Sequence, residues 1–109
     1  MLRDYKASVF HALAHPTRIA IVEVLREGEI SARAIQERLG LEQANLSQHL
    51  AILRIRQIVA HRKEGNQVFY SMRNKVLLRV LALMRQYFQA HLAESVQMLG
   101  EVEAERPSR

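Results

Sequence analysis

The sequence predicts a mostly α-helical domain with one small β-hairpin, in the order α-α-α-α-β-β-α. Three observations carry this. Apolar residues recur at helical spacing through the first half, the segment 58–73 changes to a period of two, and residues 75–99 return to the helical period for several turns.

The first helix is read over Asp4 to Ala14, where Ala7, Phe10, His11 and Ala14 fall at helical spacing. Pro16 suits the first turn of a new helix, because its missing N–H would be unpaired there anyway, so two helices meet at His15-Pro16. The second helix, Thr17 to Arg26, lines up Ile19, Val22 and Leu25 with Ile21 beside them, and Gly28 stops it. Ser31 is placed to cap a short third helix that runs to Leu39, with Ala34, Ile35 and Leu39 inward and Gly40 as the turn that ends it. The fourth helix spans Gln43 to Ile55 and repeats Leu46, Leu50 and Leu53 at i, i+4 and i+7. Two strands follow, Ile58 to Lys63 and Gln67 to Arg73, joined at Glu64-Gly65-Asn66. Lys75 to about Leu99 forms the last helix, with a stripe that includes Leu77, Val80, Leu81, Met84, Tyr87, Phe88, Leu92, Val96 and Leu99. A stripe of that length needs a surface to pack against.

Composition narrows the function. At 109 residues and 49% apolar content the chain suits a single domain, 1–109, whose small core makes help from a partner subunit plausible. No run reaches the length of a membrane span and the first residues do not build a signal-peptide core, so the expected setting is the cytoplasm and no membrane partner is expected. Cysteine is absent, which removes disulfides, thiolate metal sites and thiol chemistry. Four glycines, no cysteine and no plausible triad leave no nucleophile or phosphate-cradling loop, so the chain does not read as an enzyme. Net charge is +5 and unevenly spread: residues 45–73 hold five Lys and Arg against one Glu. Such a basic segment favours a polyanionic partner.

A short helix, a Gly-containing turn, a second helix with a polar outer face and then a basic hairpin is the order of a winged helix-turn-helix. On its second helix, Gln43, Asn45, Ser47, Gln48 and His49 are short or planar hydrogen-bonding side chains suited to base edges and phosphates in a major groove. Arg54, Arg56, Arg62 and Lys63 supply positive charge for phosphates, the last two from the hairpin. Double-stranded DNA is therefore the expected partner.

Three segments, Leu13-Ala14-His15-Pro16-Thr17-Arg18, Asn45-Leu46-Ser47-Gln48-His49-Leu50 through Leu53-Arg54, and Glu64-Gly65-Asn66-Gln67-Val68-Phe69-Tyr70, together resemble the ArsR/SmtB family of bacterial repressors. The resemblance extends from Phe10 to about Glu94. It implies a homodimer joined by the first and last helices (1–15 and 75–100), an operator of approximate twofold symmetry, and release of DNA on a signal. Phe10, Leu77, Leu81, Met84, Phe88 and Leu92 are the expected interface residues.

Where metal-sensing members of that family carry cysteines, this chain has Ser31 and Arg33, a poor soft-metal ligand and a cation. Of the family's other metal site, His91 and Glu94 match the later pair, but Leu78 and Val80 stand where the earlier pair would be. Two ligands do not close a tetrahedral zinc site. No cofactor is expected; the alternative is nickel or zinc held by His91 and Glu94 with His11, His15 or Asp4. The methionines and the Tyr87-Phe88 pair read as core filling. A further alternative is a winged-helix interaction module that does not bind DNA. The tail, 101–109, is expected to fray.

Overall fold

The computed structural model describes residues 1–104, with side-chain surroundings through Glu101. The chain divides into two compact units, residues 1–75 and the remainder from Val76. The first holds helices α1 (Leu2–Leu13), α2 (Pro16–Val24), α3 (Ala32–Leu39) and α4 (Gln43–Ile55), with strands β1 (Ile30–Ser31), β2 (Val59–Glu64) and β3 (Gln67–Met72). The second is the single helix α5 (Val76–Ala104).

The core of the first unit forms where the helical stripes converge. Ile21, Val22, Ile35, Leu46, Leu50 and Leu53 from α2, α3 and α4 are buried, joined by Leu25 just past α2 and by Ile58 and Val59 at the start of the hairpin. In α1 the buried residues are Ala12 and Leu13, whereas Ala7, Phe10, His11 and Ala14 stay exposed. The spacing that marks α1 as a helix therefore traces its outer face.

Boundaries are set by local chemistry. The His15 ring caps α2, its Nδ1 accepting the Thr17 N–H at 3.1 Å ahead of Pro16. α2 is shorter than the apolar pattern suggests: it ends at Val24, and Leu25–Glu27 tighten into a 3₁₀ turn. Ser31 caps α3 through Oγ, which accepts the Ala34 N–H at 3.1 Å. Gly40, at φ +63°, closes the other end in the left-handed region where glycine carries no Cβ penalty.

The hairpin pairs β2 with β3 in antiparallel register from Val59 opposite Met72 to Glu64 opposite Gln67, leaving Gly65-Asn66 as a two-residue turn. Positive φ at Gly65 and not at Asn66 is the pattern of a type II′ turn, whose twist matches the strands. One strand is additional to the predicted order. Ile30 and Ser31 pair with Tyr70 and Phe69, so the sheet has three strands in the order β1-β3-β2. Two residues are too few to register as a periodic pattern, and β1 exists because β3 offers it an edge. α5 continues through Ala104, into the segment expected to fray; residues 105–109 lie outside the described ones.

Candidate nucleic-acid interface

The Gly40 turn between α3 and α4 and the hairpin that follows α4 give the winged helix-turn-helix arrangement. With Leu46, Leu50 and Leu53 buried, the rest of α4 is left outward. Gln43, Asn45, Ser47, Gln48, Arg54 and Arg56 are all exposed. Two residues apart on a helix means 200° of rotation, so Arg54 and Arg56 flank opposite sides. Arg54 is on the hairpin side, where its guanidinium reaches within 3.4 Å of His61 Nε2. His61 also stacks on its cross-strand partner Tyr70, with ring centroids 5.8 Å apart.

His49 occupies a different environment from its neighbours. It is half-buried, its ring 4.5 Å from that of His15, and its Nδ1 lies 3.2 Å from an Arg18 terminal nitrogen. An arginine can only donate, so the His49 ring accepts at Nδ1 and, when neutral, carries its hydrogen on Nε2. Arg18 itself is 91% removed from solvent, since it retains 9% exposure, and its Nε donates to the Ala12 carbonyl. One buried cation thus ties the end of α1 and the start of α2 to the middle of α4. Partial burial pushes the His49 pKa below the usual histidine value, and the adjacent His15 and Arg18 push the same way. The sequence shows the Leu13–Arg18 segment as a helix boundary; it contains no signal that Arg18 turns inward, because a charged residue on a helix ordinarily faces water.

The two basic residues of the wing do not act as a pair. Cross-strand partners share a sheet face, so Arg62 lies with Phe69 and Lys63 with Val68 on the opposite face. Lys63 is exposed. The Arg62 guanidinium instead grips both carboxylate oxygens of Glu29, the nearest contact at 2.7 Å, and donates to Glu64 at 2.6 Å, while its Cζ sits 4.7 Å above the Phe69 ring. The hydrogen bonds from Arg62 hold the Glu29 carboxyl below its ordinary pKa. This arrangement anchors the wing to the residue just before β1. Glu29 was not a site candidate in the sequence, because its partner stands 33 positions away.

Among the expected dimer residues, Phe10 is 55% exposed on α1, and Met84, Phe88 and Leu92 are exposed on α5, with Leu77 and Leu81 half-buried. Tyr87 and Phe88, expected as core filling, are 66% and 56% exposed. Of the metal candidates, His11, His91 and Glu94 are exposed, and the His91 ring stacks parallel to Tyr87 at 6.1 Å. Among the described residues no three His, Cys, Asp or Glu side chains converge on a point that could hold a metal ion.

Comparison with known proteins agrees with this geometry. A helix-turn-helix domain family matches residues 13–61, from the end of α1 into β2. The chain is 38% identical over 104 residues to the HTH-type transcriptional regulator Rv0081 of Mycobacterium tuberculosis, covering 94% of this chain and 91% of that one. The crystal structure of Rv0081 superposes with a TM-score of 0.79, covering 87% of this chain and 96% of its own. The homodimeric winged helix-turn-helix DNA-binding domain of Mb0332 from Mycobacterium bovis, described as a possible ArsR-family regulator, has a TM-score of 0.77 at 30% identity, over 85% of this chain and 86% of that one. The transcriptional repressor BigR from Xylella fastidiosa has 0.73 at 30%, over 79% and 88%. With the fold, the turn and the wing in place, this chain belongs to the ArsR/SmtB family of winged helix-turn-helix transcriptional regulators.

Proposed function

We propose that the chain binds an approximately palindromic DNA operator as a homodimer, represses transcription there, and lets go in response to a signal. The exposed surface of α4 carries this reading: Gln43, Asn45, Ser47 and Gln48 stand clear of the core, with an outward arginine on either flank. Amide and hydroxyl groups there suit base edges, and Arg54, Arg56 and the wing's Lys63 suit phosphates. His49 acts beside them by seating α4 on Arg18, with its Nε2–H left to donate. Arg62 holds the wing in place through Glu29.

Two copies of α4 must lie about one DNA turn apart, roughly 34 to 36 Å, to enter successive major grooves. The M. bovis relative is described as homodimeric and the Xylella relative as a repressor, which supports the same assignment here. The reading assigns the chain no reaction to catalyse, and it places the protein with the chromosome in the cytoplasm.

Fluorescence anisotropy with the chain's own promoter region and with random duplex tests it. Binding should weaken steeply as salt rises, because released counterions dominate the affinity. Gln48→Ala should lower the preference for the promoter over random duplex by about 1 to 3 kcal/mol. Equal losses on both duplexes would remove Gln48 from base reading, and salt-independent or undetectable binding would remove DNA from the assignment.

A further inference from the structure

The face of α4 opposite its buried leucines is apolar apart from one amide. At 100° per residue, Ala44, Gln48, Ala51, Ile52 and Ile55 fall in the sector pointing away from Leu46, Leu50 and Leu53. Ala44 and Gln48 are exposed, Ala51 is partly so, and Ile52 and Ile55 retain 38% and 70% of full exposure. Polar groups occupy the flanks instead: Gln43, Ser47 and Arg54 on one side, Asn45, His49 and Arg56 on the other. A helix that only tracked phosphates would gain nothing from isoleucines on its ridge.

The floor of the major groove offers one apolar group, the C5-methyl of thymine, while phosphates line its rims. An apolar ridge between basic flanks matches that cross-section. Guanine is most often read by Arg or Lys, and the ridge has neither; α4 contains no lysine, and its one arginine, Arg54, and the Arg56 that follows its last turn are both on the flanks. At the centre of the ridge, Gln48 carries the amide that pairs bidentately with adenine N6 and N7. We propose that this ridge reads A·T base pairs, with Gln48 on an adenine and Ala44, Ala51, Ile52 and Ile55 against thymine methyl groups around it. The occupant is duplex DNA rather than an apolar protein surface because the surrounding segment, 45–73, holds five Lys and Arg against a single Glu. The proposal rests on the DNA-binding reading above and specifies what that same surface recognises.

The test uses the full chain and duplexes selected by it from a randomised library. Each thymine of the selected half-site is then replaced by deoxyuridine, which removes the methyl group and leaves the pairing edge unchanged. Selection should return A·T pairs under α4, and each contacted methyl should contribute about fourfold in affinity, equivalent to ~0.8 kcal/mol. The double variant Ile52→Ala with Ile55→Ala, confirmed as folded by an unchanged Tm, should bind the thymine duplex more weakly and lose part of its discrimination against uracil. Equal affinity for thymine and uracil duplexes, or selection of G·C pairs under α4, overturns the proposal. Unchanged DNA affinity in the double variant overturns it also. Failure to select any duplex over random DNA overturns the DNA-binding reading itself, so the two failures are distinct.

Discussion

At the scale of single residues, His49 and Arg62 show how one side chain type serves different ends according to what surrounds it. Exposed and unpaired, either would be a ready phosphate contact; here Arg18 and His15 take up one and Glu29 and Glu64 the other. His49 makes stability depend on pH. Its folded-state pKa is lowered, so the unfolded chain takes up the proton first. Its contribution is therefore complete above the ordinary histidine pKa and is lost as pH falls through that value toward the depressed one. Urea unfolding at about pH 7.5 and about pH 5.5 should show a lower midpoint at the acid end. His49→Gln, whose amide oxygen can accept from Arg18 without titrating, should flatten that slope, and an unchanged slope would place its origin elsewhere. Glu29→Gln should loosen the wing with little effect on global stability, because the pair with Arg62 is solvent-exposed. Faster amide exchange across β2, with Tm nearly constant, is the expected signature.

At the scale of elements, the ends of α3 and α4 decide where the recognition helix sits. Ser31→Ala removes the acceptor for the Ala34 N–H and should cost about 1 kcal/mol in chemical denaturation. The end of α4 is more unusual. Gln57 adopts φ +58°, its N–H donates to the Arg54 carbonyl at 2.9 Å, and the Ile58 N–H donates to the Leu53 carbonyl at 2.9 Å. These are the two bonds of a Schellman cap, with Leu53 and Ile58 both buried as its hydrophobic contact. Glycine normally takes the left-handed position, where a side chain costs roughly 1–2 kcal/mol. Gln57→Gly should therefore stabilise the fold by about 0.5–1 kcal/mol after the added unfolded-state entropy is subtracted. A drop in Tm would show that the Gln57 side chain makes a compensating contact.

At the scale of the whole molecule, α5 displays Met84, Tyr87, Phe88, Leu92, Val96 and Leu99 to solvent along its length. Each such side chain gains roughly 1.5–3 kcal/mol when fully buried, so a second copy covering the helix accounts for the pattern. Replacing Met84 and Phe88 together by Glu should give a monomer in sedimentation and abolish tight operator binding, since one α4 offers too small a contact surface alone. A monomer that still bound the operator tightly would refute the need for two half-sites.

What the amino-acid order determined by itself is whatever depends on neighbours within a few turns. Helical spacing located α2 to α5, Ser31 and Gly40 bracketed α3, Gly65 marked the hairpin, and α4 matched its predicted Gln43–Ile55 span because three leucines leave only one way to bury it. Only the tertiary structure decided the pairings that join distant positions. Arg18 reaches His49 across 31 residues, Arg62 reaches Glu29 across 33, and β1 forms only because β3 lies beside it. Periodicity reports which face of an element is apolar, whereas which polar groups meet depends on how those faces pack, and that geometry has no signature along the chain.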